Sequence, residues 1–166
     1  DFRRFRAAAA EPLVVQGLAP FLASRESLGF SLEFLRDVLE EELEVPVFLR
    51  GEPLPKMALR DFFDFLDKGD QVYLADVSIA DYFPWLFQHV GVPRYFLHCF
   101  AHRTRQRNFA MTKTPALFVG AKGTRTKMHI DQLATNFYMF MAQGRKKWTC
   151  FHRDDWRLLD HVWDDE

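Results

Sequence analysis

Two residues in this sequence carry the spacing of a metal site. His129 and Asp131 stand two apart in Met128-His129-Ile130-Asp131, and on an extended strand residues i and i+2 project from one face. An imidazole beside a carboxylate supplies two of the three donors of a 2-His-1-carboxylate triad, which leaves one face of an octahedral iron(II) open for co-substrate and oxygen. Alone, His-x-Asp is common, and a surface histidine bonded to its neighbour explains most instances. Its company here is less common. Thr126 precedes His129, Asn136 follows it, and Gly144-Arg145-Lys146-Lys147-Trp148 opens the next expected strand.

Lys146 is the informative residue of that second group. Strand alternation puts Lys146, Trp148 and Cys150 on one face. A lysine turned toward an aromatic-lined interior is costly unless an anion neutralises it, and a dicarboxylate is such an anion. The alternative is that Arg145, Lys146 and Lys147 form a solvated hairpin tip.

These residues have to be placed by the elements around them. From Pro115 onward the pattern predicts strands at 116–119, 128–131, 136–142 and 146–151, with a Gly-containing loop at 120–127 and a hairpin turn at 143–145. The upstream part reads as mixed helix and strand. A β-rich run covers 13–17. Ser31 caps a helix expected to run to Glu44, with Leu32, Leu35, Val38, Leu39 and Leu43 at helical spacing. Further elements are a strand at 46–49 ending at Gly51, an amphipathic helix at 57–67, a short strand at 73–76, and a helix at 78–90 broken near Pro84. His98 and His102 are four apart, a weak signal for a metal because no third ligand follows nearby.

Composition sets the outer limits. The 166 residues fit one domain, with 48% hydrophobic, 16% aromatic and 27% charged side chains, a globular balance that excludes disorder and collagen. Eighteen phenylalanines suggest a core of aromatic packing. A formal net charge of −1 gives no global electrostatic case for nucleic acid or an anionic membrane. Cys99 and Cys150 are the only cysteines, too few for a disulfide framework or a cysteine-based zinc site. No apolar run reaches the length of a membrane helix, and the arginine- and alanine-rich start is cut short by Glu11-Pro12, unlike a signal peptide. The expected setting is intracellular, nuclear or cytoplasmic, and not secreted.

The stretch 114–148 resembles the first half of a Jumonji C domain, the cupin-like iron(II)- and 2-oxoglutarate-dependent oxygenases. The resemblance lies in Leu117-Phe118-Val119-Gly120, Gly123-Thr124-Arg125-Thr126, His129-Ile130-Asp131, Asn136 and Gln143-Gly144-Arg145-Lys146-Lys147-Trp148. Weaker echoes at 12–17, 57–66, 73–76 and 92–96 extend it over most of the chain, and it leans toward the protein-hydroxylase members. It implies a mainly β fold: a double-stranded β-helix, or jelly-roll, core beginning at 114–166 and incomplete here, with an α/β N-terminal region at 1–113 packed on it. It implies iron(II) on His129 and Asp131, and 2-oxoglutarate held by Lys146 and Thr126, with Asn136 lining the co-substrate pocket. The implied reaction couples decarboxylation of 2-oxoglutarate to succinate with hydroxylation, or demethylation, of a protein or peptide side chain.

The family's second iron-ligating histidine falls on a later strand, beyond Glu166. His152 comes too early and His161 lies in an acidic tail, so neither is expected to be that ligand. The chain therefore reads as a fragment, and an open sheet of this kind is expected to aggregate or form a homodimer. Two other functions stay open: a non-catalytic cupin-like interaction module that uses aromatics such as Trp85, Trp156 and Trp163, and a cupin metalloenzyme without 2-oxoglutarate. Lys146 argues against the second of these. The basic cluster Lys122, Arg125, Lys127, Arg145, Lys146 and Lys147 could steer an acidic substrate.

Overall fold

The computed structural model describes residues 12–22, 30–92, 115–131 and 137–159. Their architecture is mixed α/β, with two antiparallel sheets and, among the described residues, no closed barrel. No helix among them is long and apolar enough to cross a membrane. A one-turn helix α1 (Ala19–Leu22) precedes α2 (Leu32–Val38). Four short strands follow: β1 (Glu44–Val45), β2 (Phe48–Leu49), β3 (Glu52–Pro53) and β4 (Met57–Ala58). Helix α3 (Leu59–Asp67), strand β5 (Val72–Ser78), helix α4 (Ile79–Tyr82), a 3₁₀ helix at Pro84–His89 and strand β6 (Ala116–Gly120) complete the frame.

Local chemistry explains most of these boundaries. The Ser31 hydroxyl accepts from the Phe34 amide at 3.2 Å, as an N-cap should. The helix ends at Val38 and does not continue to Glu44. Glu40 and the acidic residues after it form a turn whose carbonyls are used elsewhere: Leu43 accepts from the Leu59 amide and Glu41 from the Arg60 amide, each at 3.0 Å. These tertiary bonds satisfy donors at the start of α3, which has no side-chain cap. On α3, Leu59, Phe62 and Phe63 are buried. Pro84 sits at the start of the 3₁₀ helix, where its missing N–H costs nothing.

The larger sheet has the order β3-β2-β5-β6, all pairs antiparallel. Strand β5 runs past Asp76, further than its sequence pattern suggests, because a bulge intervenes. Leu74 pairs with Val119 and Val77 with Leu117, so Ala75 and Asp76 together oppose the single residue Phe118. Asp76 takes φ 53°, a left-handed geometry that Asp tolerates. The extra residue returns Val77 to the same face as Leu74, and both are buried at 1% exposure.

One face of this sheet, with Val72, Leu74 and Val77, packs with Phe30, Phe34, Phe62, Phe83 and Leu86 into a single cluster. Leu117, Val119 and Phe140 touch its margin. The opposite face carries Tyr73, Phe118 and Gly120, and the chain after β6 lies over it.

Four expected strands do not form ladders. Residues 13–17 are exposed irregular chain, and the described parts of 128–131, 136–142 and 146–151 pair with no described strand. Alternation fixes which side of an extended chain a residue faces, but a strand also needs a neighbour's N–H and C=O groups. No described strand provides them to these segments. A jelly-roll core is thus not formed by the described residues, and the mainly β expectation becomes a mixed α/β fold.

Candidate metal and carboxylate site

His129 and Asp131 face one another although no ladder holds them. His129 Nε2 stands 3.3 Å from Asp131 Oδ1. The other ring nitrogen, Nδ1, lies 2.8 Å from the Lys127 carbonyl oxygen. A carbonyl can only accept, so Nδ1 carries the proton and Nε2 presents its lone pair in the neutral ring. Two lone-pair atoms, Nε2 and Oδ1, then point at one another. A proton or a cation between them relieves the repulsion. The side chains are 54% and 34% exposed, so the site is open.

Iron(II) fits this donor pair. Ligands about 2.1 Å from a metal in neighbouring octahedral positions stand about 3.0 Å apart, close to the observed separation. The backbone bond on Nδ1 is the usual way a ligating histidine is oriented. Among the described residues, no group of three or more His, Cys, Asp or Glu could hold a metal, so the described residues bring two candidate donors together here. His152 is engaged at a helix end, where its Nδ1 accepts from the Asp154 amide at 3.3 Å and caps the 3₁₀ helix at Arg153–Leu158. His161, His98 and His102 lie outside the described residues, as does Asn136.

Lys146 lies on the sheet face opposite the core. Its Nζ donates to the Tyr73 hydroxyl at 3.4 Å. It sits 4.6 Å from the centre of the Trp148 ring and 5.5 Å from that of Phe118, within cation–π range. Phe137 packs on Trp148 at 5.6 Å between centroids. The contact with Trp148 follows from the i, i+2 pattern, whereas Tyr73 and Phe118 are brought in by β5 and β6. The ammonium is half-buried and has no carboxylate partner among the described residues, so its two remaining N–H donors are available for an anion.

Gly120 makes this arrangement possible. A Cβ there would lie 2.6 Å from Tyr73 Cδ2 and 2.8 Å from Thr124 Oγ1, so glycine admits the Tyr73 ring. Thr124 closes the following turn, its amide and hydroxyl both donating to the Ala121 carbonyl, at 3.2 and 3.0 Å. Gly123 supplies the positive φ of 93° that the turn requires. Thr126, by contrast, is exposed and makes no hydrogen bond to another described residue.

Tyr73 and Phe118 are the residues that sequence reading underused. Their signal was available: each alternates with buried or half-buried neighbours, and an aromatic on the outer face of a strand needs a cover. No family model, curated protein or solved structure matches the chain.

Proposed function

We propose that this chain belongs to an iron(II)- and 2-oxoglutarate-dependent oxygenase of Jumonji C type, hydroxylating or demethylating a protein or peptide side chain, with residues 114–166 contributing the first part of the catalytic core. The observation that carries the reading is the His129–Asp131 pair, at 3.3 Å with Nδ1 tied to the Lys127 carbonyl. Lys146 supports it as a half-buried cation beside a hydroxyl.

Iron(II) and 2-oxoglutarate, when bound, supply the oxidising chemistry; the chain's own residues bind and orient. His129 and Asp131 hold the metal by Nε2 and a carboxylate oxygen. Lys146 pairs with the distal carboxylate of 2-oxoglutarate, and the Tyr73 hydroxyl, already bonded to Nζ, is placed to donate to the same oxygens. The rings of Phe118 and Trp148 reduce water around the ammonium and so strengthen its attraction for an anion. Thr126 and Asn136 remain proposed members of the co-substrate pocket.

The test is a Mn(II) titration followed by electron paramagnetic resonance, together with 2-oxoglutarate turnover by the full-length protein. Mn(II) should bind, and His129→Ala should weaken it at least tenfold and abolish turnover. Unchanged turnover in that variant would sink the reading. Absence of metal binding by the full-length protein would favour the interaction-module alternative.

A further inference from the structure

The expected basic cluster divides in the structure. Lys127 is drawn to Glu52, 3.8 Å away. Arg125 instead lines a cleft of about 190 Å³ with Arg50, Gln71, Thr124 and Tyr73. The cleft lies at the end of the sheet where the β2–β3 hairpin, the start of β5 and the loop after β6 meet. Neither Arg50 nor Arg125 forms an ion pair with a described residue. The Gln71 side-chain amide adds a neutral donor, whereas the Thr124 hydroxyl is already spent on the Ala121 carbonyl.

Arg50 is there against local preference. Arg50-Gly51 is the two-residue loop joining Leu49 to Glu52, with φ of 53° at Arg50 and 91° at Gly51. Positive φ at both positions is the type I′ pattern, in which Asn or Gly is the favoured first residue. An arginine tolerates that backbone poorly, and nothing in the hairpin's own packing calls for a long cation. A cation on a strained backbone at the lining of a cleft is a pattern found at ligand clamps.

We infer that the Arg50–Arg125 cleft binds an oxyanion, a carboxylate or a phosphate carried by a ligand. Two guanidinium groups offer fork-shaped donors to two oxygens each. Tyr73 lines this cleft and its hydroxyl accepts from Lys146 Nζ, but Lys146 is not part of the lining. The site requires no metal and does not depend on the oxygenase reading.

The test is calorimetric titration of the chain, at low ionic strength, with inorganic phosphate and separately with a tetraglutamate peptide. Saturable binding of phosphate alone, or of tetraglutamate alone or more tightly, identifies which oxyanion the cleft takes; binding of neither overturns the inference. Arg50→Asn and Arg125→Gln should each weaken the bound probe at least tenfold. Arg50→Asn should also leave the melting temperature unchanged or raised, because Asn suits the turn. Lys122→Gln, in the same loop but outside the cleft lining, should change affinity less than twofold. Affinity that survives Arg50→Asn, or falls equally with Lys122→Gln, overturns the cleft as a site. Lys146→Met losing the probe as fully as Arg50→Asn would place the anion at Lys146 and overturn it too.

Discussion

Residues 30–90 and 115–159 are built by different means. Every buried apolar side chain among the described residues lies between Leu22 and Leu86. The second region contributes only Leu117, Val119 and Phe140, at the margin of that core, yet it holds His129, Asp131 and Lys146. Its large side chains are half-exposed, with Trp148 at 48% and Phe137 at 55%. The core thus resides in the first region, while the second carries the candidate metal and carboxylate ligands and meets the first at Tyr73 and Arg50. Leu32, whose amide donates to the Gln143 side chain at 2.8 Å, ties the two together at the start of α2.

That division can be broken most strongly in the core. Phe62 is fully buried, and Phe62→Ala should cost about 3–5 kcal/mol through lost burial and a residual cavity. The same truncation at Phe118, which is 41% exposed, should cost about 1 kcal/mol or less. Urea denaturation of both variants checks the contrast, and equal losses would contradict it.

Gly120→Ala tests where the regions meet. The new methyl would displace the Tyr73 ring, costing about 1–3 kcal/mol as an overpacked contact, and would weaken 2-oxoglutarate binding if Lys146 holds that co-substrate as proposed. Ring-proton shifts of Tyr73 report the displacement directly. An unmoved ring would show that Thr124 absorbs the strain.

A smaller effect sharpens the first region. Ser31→Ala removes the cap of α2 and should lower stability by about 1 kcal/mol. It should leave any Mn(II) binding intact, since the proposed ligands His129 and Asp131 belong to the second region. Thermal melts and the same titration measure both.

The smallest effect is in alkali. Burial raises the Tyr138 phenol above its ordinary value of 10.0, because the phenolate loses water on folding. The folded state therefore holds its proton to higher pH than the unfolded state. Its contribution is fully present below pH 10 and is lost as pH rises through the folded value. Tyr138→Phe should flatten the stability profile above pH 10, and urea midpoints across that range would reveal it.

Local chemistry was legible where one residue decides an element. Ser31 as a cap, the apolar stripe of α3 and the break at Pro84 all follow from side-chain type and spacing. The i, i+2 rule also put His129 beside Asp131 and Lys146 beside Trp148. It fails to distinguish an extended chain from a strand, so 128–131 and 146–151 pair with no described strand although ladders were expected there. The acidic turn after α2 was hidden for a related reason. Its carbonyls are used by α3, a contact no periodicity encodes.

The amino-acid order alone thus determined the neighbouring pairs, because side-chain direction along an extended backbone has a period of two. Tertiary structure decided everything that joins distant segments: Tyr73 and Phe118 against Lys146, Gly120 beneath the Tyr73 ring, and Arg50 across from Arg125. Those contacts depend on which strands pair and in what register. A one-residue change in register would turn Tyr73 to the core and dissolve the site.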